Sequence, residues 1–315
     1  MERECNDIAV TDWSDHDAIP RSFGKHRVFL HLFAGRRRRG DLQFYLDRMQ
    51  PPSNYVLHVV SVDIVIDSTW GDVTADRTRT YWLLKAQEGL IVGFLAGPPC
   101  ETWSRARGKA VKGQNPDRKA PRVIRSEDHL WGLPSLALKE LVQIAIGNEL
   151  LTFTLLIACV MIQTGGIGIV EHPAEPNEDA AASIWKLPIV KALLALPGVT
   201  KRRLAQGLFG APSPKPTDLM VINLPDLPLD LRKWMTRSEL PKGKAIGLNQ
   251  AGQWQTGYLK EYPPAFCGAL ADAIRRGIDR HKVSEKPEPS AEDLKRWMAM
   301  TMTKYSDHLC TDFAR

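Results

Sequence analysis

The chain has 315 residues, 43% of them hydrophobic, with 42 Lys and Arg against 36 Asp and Glu, a formal charge of +6 and an isoelectric point near 9.0. These values exclude a disordered polyelectrolyte and allow one large core with appendages, while the mild basic excess permits a polyanionic partner without requiring one. Five scattered cysteines, Cys5, Cys100, Cys159, Cys267 and Cys310, form no CxxC pair; that argues against a disulfide framework or a structural zinc site and for the cell interior.

In chain order, residues 1–26 are polar and Asp-rich. They are expected to form a loose arm and are too acidic for a signal peptide. Val28–Phe33 reads as a first strand ending at Ala34-Gly35, followed by the run Arg36–Arg39 and Gly40. DLQFYLDRM then has helical spacing, with Leu42, Tyr45, Leu46 and Met49 on one side, and Pro51-Pro52 closes it. Tyr55–Val62 is a second strand with Asp63 at its end, and the loop Trp70-Gly71-Asp72-Val73-Thr74 precedes a helix over Arg77–Gln87. Leu90–Ala96 is the third strand. This βαβ rhythm predicts an α/β fold, a mostly parallel sheet with helices on both faces.

The third strand runs into Gly97-Pro98-Pro99-Cys100, in the stretch GFLAGPPCETWSRAR. Ligands of open α/β sheets sit beyond the carboxyl ends of the strands, so Cys100 stands where a reacting group belongs. The prolines pin the backbone, and Glu101, Ser104, Arg105 and Arg107 make the surroundings wet and electropositive, which is expected to lower the thiol pKa and favour the nucleophilic thiolate. Residues 105–135 read as one long loop rich in Lys and Arg, and a loop of that length is expected to be functional.

Leu136–Gln163 is expected as one long helix, or two broken near Gly147-Asn148. Its most apolar part, Leu150–Ile162, is short of a membrane span and reads as buried helix, so no membrane partner is expected. Gly166–Val170 is a strand leading to Glu171-His172-Pro173, Ala180–Leu196 a helix interrupted at Pro188, and Thr200–Phe209 and Leu219–Asn223 two further strand segments. Phe266–Ile278 is a short helix, 282–289 a linker, and Ala291–Leu309 a terminal amphipathic helix with Leu294, Trp297, Met298 and Met302 along one stripe.

The order Phe33-Ala34-Gly35, Asp63, Gly71-Asp72-Val73-Thr74, Gly97-Pro98-Pro99-Cys100 and Glu171 resembles that of the cytosine-5 DNA methyltransferases. FGAPSPKPTDLMV at 209–221 and TGYLKEYPPAFCGALADAI at 256–274 are similar to two later segments of the family, so the likeness runs from about residue 28 to 278. It implies a Rossmann-like, S-adenosylmethionine-dependent methyltransferase fold. By the same resemblance Phe33 packs near the cofactor adenine, with Ala34 and Gly35 beside it. Asp63, with Ile64, takes the ribose; Asp72, with Val73, lies near the adenine amine; and Pro98 borders the cofactor. Cys100 is implied as the nucleophile adding to carbon 6 of a flipped cytosine, Glu171 as the partner of N3, and Lys215 as the retained charge of the 213–217 segment. DNA is the implied substrate, with the phosphate contacts expected from Arg36, Arg37, Arg38, Arg39, Ser104, Arg105, Arg107, Lys109, Lys112, Arg118 and Lys119.

This sequence departs from the family at several points. Arg36–Arg39 replaces small residues, His172-Pro173 follows the acid, Ser213 and Thr217 stand where charged or amide side chains are usual, and only 224–257 lies where the family has a recognition domain. Target choice is then low, carried by Arg105–Arg125, or supplied by a protein partner. The reading divides the chain into an arm 1–26, a catalytic core 27–223, a reduced recognition region 224–257, a last part of the core 258–280, and a linker with terminal helix 281–315. No metal is expected, and the compartment is intracellular, the nucleus in a eukaryote. Two alternatives stay open: RNA as the methylated polymer, and a nucleic-acid-binding protein that keeps the fold without turnover.

Overall fold

The structure, a computed structural model, describes residues 26–49, 55–104, 107–108, 121–177, 181–225, 227, 240–243, 260–280, 290 and 292. The expected arm, most of the reduced recognition region and the terminal helix beyond Glu292 lie outside the described residues.

Six strands form one sheet: β1 (His26–Leu32), β2 (Val56–Val62), β3 (Ile91–Ala96), β4 (Ile167–Pro173), β5 (Val199–Ala205) and β6 (Pro216–Ile222). Their order is β2-β1-β3-β4-β6-β5. The pairs β1–β2, β1–β3 and β3–β4 are parallel, and β6 lies antiparallel between β4 and β5. The helices are α1 (Leu42–Arg48), α2 (Asp76–Gln87), α3 (Leu138–Thr164), α4 (Pro188–Leu194) and α5 (Pro264–Arg280).

Strand side chains alternate between two cores, as the period of two requires. Val28, Leu30, Leu32, Val60, Val62, Phe94 and Ala96 face Trp82 of α2, Leu151 and Ile157 of α3 and Val190 of α4. Phe29, Val59, Val92, Leu95, Ile169 and Val221 face Leu42 and Leu46 of α1 and Phe266, Leu270 and Ile274 of α5. The sheet is therefore covered on both sides, as expected of parallel strands rich in Val, Ile and Leu.

The elements expected within the described residues are present, with informative differences. α3 continues unbroken through Gly147-Asn148 for 27 residues. Gly147 is where the helix meets the loop after β3: a Cβ there would lie 3.0 Å from Thr102 Oγ1 and 3.3 Å from Arg125 Nη2. The glycine permits a close contact instead of ending a helix. Among the described residues, α3 is the helix long and apolar enough to cross a membrane by length and composition, which Leu150–Ile162 alone is not, and 56% of its most apolar window is buried. β4 runs on through Glu171 and His172 to Pro173, because β6 pairs with it over that length. The segment expected as one strand to Phe209 is β5 followed by a short 3-10 turn, Gln206–Phe209.

Candidate active site

In the order β2-β1-β3 the chain goes one way from β1 to β2 and the other way to β3, so the crevice at their carboxyl ends is the topological switch point of the sheet. β1 leads there into Phe33, whose amide donates to the Val62 carbonyl at 2.9 Å. Phe33 has φ 58, a left-handed backbone rarely adopted by a bulky residue. The Gly35 amide donates to Asp63 Oδ2 at 2.9 Å, and the Val65 amide donates to Asp63 Oδ1 at 3.0 Å. Asp63 thus ties the turn after β1 to the turn after β2. Ile64 and Val65 beside it stay 55% and 54% exposed. Asp72 Oδ1 accepts from the Thr74 amide at 3.0 Å and its hydroxyl at 2.6 Å, while Val73 is buried.

β3 ends in buried Pro98 and half-buried Cys100, whose carbonyl accepts from the Trp103 amide at 2.9 Å to close a turn. The expectation for the thiol is overturned. Burial, with Glu101 and Glu171 nearby, pushes Cys100 up to about 12, and Lys215 only partly opposes them. Of the basic residues expected to favour it, Arg105 lies outside the described residues and Arg107 is engaged by other groups: it donates to the carbonyls of Glu101 at 2.8 Å and Arg122 at 2.9 Å, and to Gln143 Oε1 at 2.7 Å.

Glu171 is only 8% exposed, and both carboxyl oxygens are engaged. Gln206 Nε2 donates to Oε1 at 2.9 Å and to Thr217 Oγ1 at 3.1 Å. The Tyr262 hydroxyl donates to Oε2 at 3.2 Å. Lys215, with φ 38, holds its ammonium 5.4 Å from the centre of the Tyr262 ring. Desolvation, then the charge of Glu171, raises the Tyr262 phenol well above its ordinary range. Glu171 and Lys215 are therefore both near enough to act on Cys100 electrostatically. Tyr262 and Gln206 join them, two residues that sequence reasoning missed. Nothing local marks Gln206; Tyr262 is signalled only by Pro263-Pro264, which follow it at the start of α5.

A buried polar cluster lies beside the Cys100 turn. The Arg125 guanidinium, 2% exposed, sits 4.0 Å from the Trp103 ring centre, and Trp103 meets His172 edge to face at 6.2 Å. Desolvation leads in lowering Arg125 to about 10 and His172 to about 3. Arg125 Nη1 donates to the Leu130 carbonyl at 2.6 Å; its Nε and Nη2, Thr102 Oγ1 and both His172 nitrogens have no partner among the described residues.

The arginine run does not face outward as one surface, which corrects the expectation for two members. Arg37 is 3% exposed and pairs with Asp41 at 2.7 Å. Arg38 pairs with Glu261 at 3.0 Å and donates to the Tyr262 carbonyl. Arg36 and Arg39 are exposed, and Ser104 is half-buried. Arg105, Lys109, Lys112, Arg118 and Lys119 lie outside the described residues.

The layered, largely parallel sheet, with the candidate residues at one carboxyl edge, defines a mixed α/β protein compatible with a Rossmann-like enzyme. No family model, curated protein or solved structure matches the chain.

Proposed function

We propose that the chain is an S-adenosylmethionine-dependent methyltransferase acting on carbon 5 of cytosine in DNA. The observation that carries this reading is the meeting of Cys100, Glu171 and Lys215 at the carboxyl edge, alongside the turns that bear Gly35 and Asp63. The resemblance in motif order assigns those same residues to nucleophile, acid and cofactor contact.

The crevice suits a nucleoside-type cofactor. Asp63 Oδ1 and Oδ2 each take one backbone amide and keep lone pairs for a ribose diol, and Ile64 and Val65 leave apolar surface next to the carboxylate. Phe33, Ala34, Gly35, Asp63, Ile64, Asp72, Val73 and Pro98 would hold the group. When bound, S-adenosylmethionine supplies an electrophilic methyl on a sulfonium sulfur.

The chain's own residues make carbon 5 nucleophilic. The Cys100 thiol loses its proton to water and its sulfur bonds to carbon 6, while a proton from Glu171 goes to N3, so the ring takes up the electron pair as an enamine. After methylation, loss of the carbon-5 proton to water returns an electron pair to the ring and expels Cys100 Sγ, and the N3 proton goes back to the Glu171 carboxylate, so base and acid are both neutral again. The base must leave the duplex to reach a half-buried thiol.

Covalent trapping tests this directly. Wild-type protein, S-adenosylmethionine and a duplex bearing 5-fluorocytosine should give a denaturation-resistant adduct that Cys100→Ser abolishes. An adduct on the matching RNA alone reassigns the substrate. The raised thiol favours a second reading, a binding protein without turnover. Cofactor and DNA binding with no adduct would establish that reading and sink the first.

A further inference from the structure

Glu171 is gripped from two sides by unlike donors. Gln206 is fully buried, and its amide nitrogen spends one hydrogen on Oε1 and the other on Thr217, so it can only donate and fixes the inner oxygen. Tyr262 is different, because a phenol can donate to a carboxylate and can equally accept from a carboxylic acid. It meets Oε2, the oxygen beside the Gly97 turn, where a Cβ on Gly97 would stand 3.4 Å away.

The short segment before α5 delivers this hydroxyl by tying successive residues to different loops. Lys260 pairs with Glu101 after β3 at 2.6 Å, Glu261 pairs with Arg38 after β1, and the Tyr262 carbonyl accepts from Arg38. Pro264 packs against Gly40, and the Pro263 carbonyl accepts from the Cys267 amide at 3.0 Å, already on α5. A side chain held this way serves as a fixed tooth at the carboxyl edge. The tyrosine ring also packs edge to face on Phe266, 5.5 Å between centres.

Resting on the reading of Glu171 as the acid toward N3, we infer that Tyr262 is a positioning residue for that acid, pairing its outer oxygen both before and after the proton is given up. With the proton on Glu171, the phenol oxygen can accept; with the proton transferred, the hydroxyl donates to the carboxylate left behind. Either state keeps a partner in a dry site, where an unpaired charged oxygen is costly. No other donor on Oε2 is present among the described residues, and the Gln206 amide nitrogen that faces Oε1 can only donate.

The test is Tyr262→Phe in the full chain, read by the rate of 5-fluorocytosine adduct formation from pH 5.5 to 9, with a thermal melt to show the fold intact. The expected result is a ten- to hundredfold slower adduct at neutral pH and a displaced pH–rate profile, because the outer oxygen has lost its partner. A purely structural tyrosine would change the melt and leave the profile in place. Adduct formation by Tyr262→Phe at the wild-type rate and profile overturns the inference and leaves the methyltransferase reading standing. No adduct from wild type on DNA or RNA sinks that reading, and the inference with it. Difference absorbance at 295 nm, wild type minus Tyr262→Phe, checks the pairing without turnover. Glu171→Gln should bring this phenol's ionisation to lower pH, and an unmoved titration also overturns the inference.

Discussion

Gly97 and Tyr262 share one small volume at the end of β3: a Cβ on Gly97 would lie 2.3 Å from the Tyr262 hydroxyl oxygen. That distance is far inside van der Waals contact, so any side chain at 97 moves the phenol off Glu171. Gly97→Ala is therefore expected to slow adduct formation at least as much as Tyr262→Phe, and to cost roughly 1–3 kcal/mol of stability from overpacking. The double variant should be little worse than Gly97→Ala alone, because both changes break the same contact. Additive losses in a double-mutant cycle of adduct rates would show that the two residues act separately.

The thiol of Cys100 is expected to be slow in the free protein. Its displacement to about 12 leaves roughly a thousandfold less thiolate at neutral pH than an ordinary cysteine has. Iodoacetamide labelling at Cys100, wild type compared with Cys100→Ser, should keep rising through pH 10 rather than level off near 9. The linkage follows the same sign. The folded state holds the proton more tightly, so the stability from Cys100 is complete below about pH 9 and is lost as pH rises toward 12. Cys100→Ser should flatten that alkaline loss in melts taken from pH 8 to 11.

Within the arginine run, neighbours are expected to behave oppositely. Replacing the exposed pair Arg36 and Arg39 by Ser should reduce the slope of log binding constant against log salt for a DNA duplex by about 2, with stability within about 0.5 kcal/mol of wild type. Arg37→Ser leaves Asp41 buried without its ion pair and should cost about 3 kcal/mol. Asp41 also caps α1 by accepting from the Phe44 amide at 2.7 Å, so its displacement would loosen the helix entry as well. Salt-titrated binding and denaturant melts separate the two effects; equal salt slopes for wild type and the Arg36/Arg39 variant would remove these residues from any phosphate contact.

Acid should destabilise the fold through its buried histidines. Burial lowers His31 and His58 to about 4 and His172 to about 3, while the unfolded chain keeps them near the ordinary 6.5. The unfolded state then binds more protons below that value, so stability is complete above about pH 6.5 and falls as pH drops toward 4 and 3. His172→Phe keeps the ring against Trp103 and removes one of these groups. It should shrink the loss between pH 6.5 and 4 by roughly 3 kcal/mol, measured by denaturant midpoints. An unchanged acid limb would mean His172 is protonated in the native state.

The sequence by itself determined the sheet's first half and the turns at its carboxyl edge. Hydrophobic runs ending in Gly, Asp or Pro are local signals, so β1, β2 and β3 and the turns carrying Gly35, Asp63 and Cys100 could be read without tertiary information. What only the fold decided depends on partners far along the chain. Four identical arginines carry no period, so nothing local says that Arg37 points inward. Glu171 lies inside β4 because β6 inserts between β4 and β5, a pairing that strand propensity cannot express. Basic neighbours in sequence proved a poor guide to the thiol, since desolvation and two glutamates outweigh them once Cys100 is packed in place. Tyr262 meets Glu171 across 91 residues. A hydrogen bond of that span is set by how α5 docks on the sheet, and docking is settled by the whole apolar face rather than by any residue in the site.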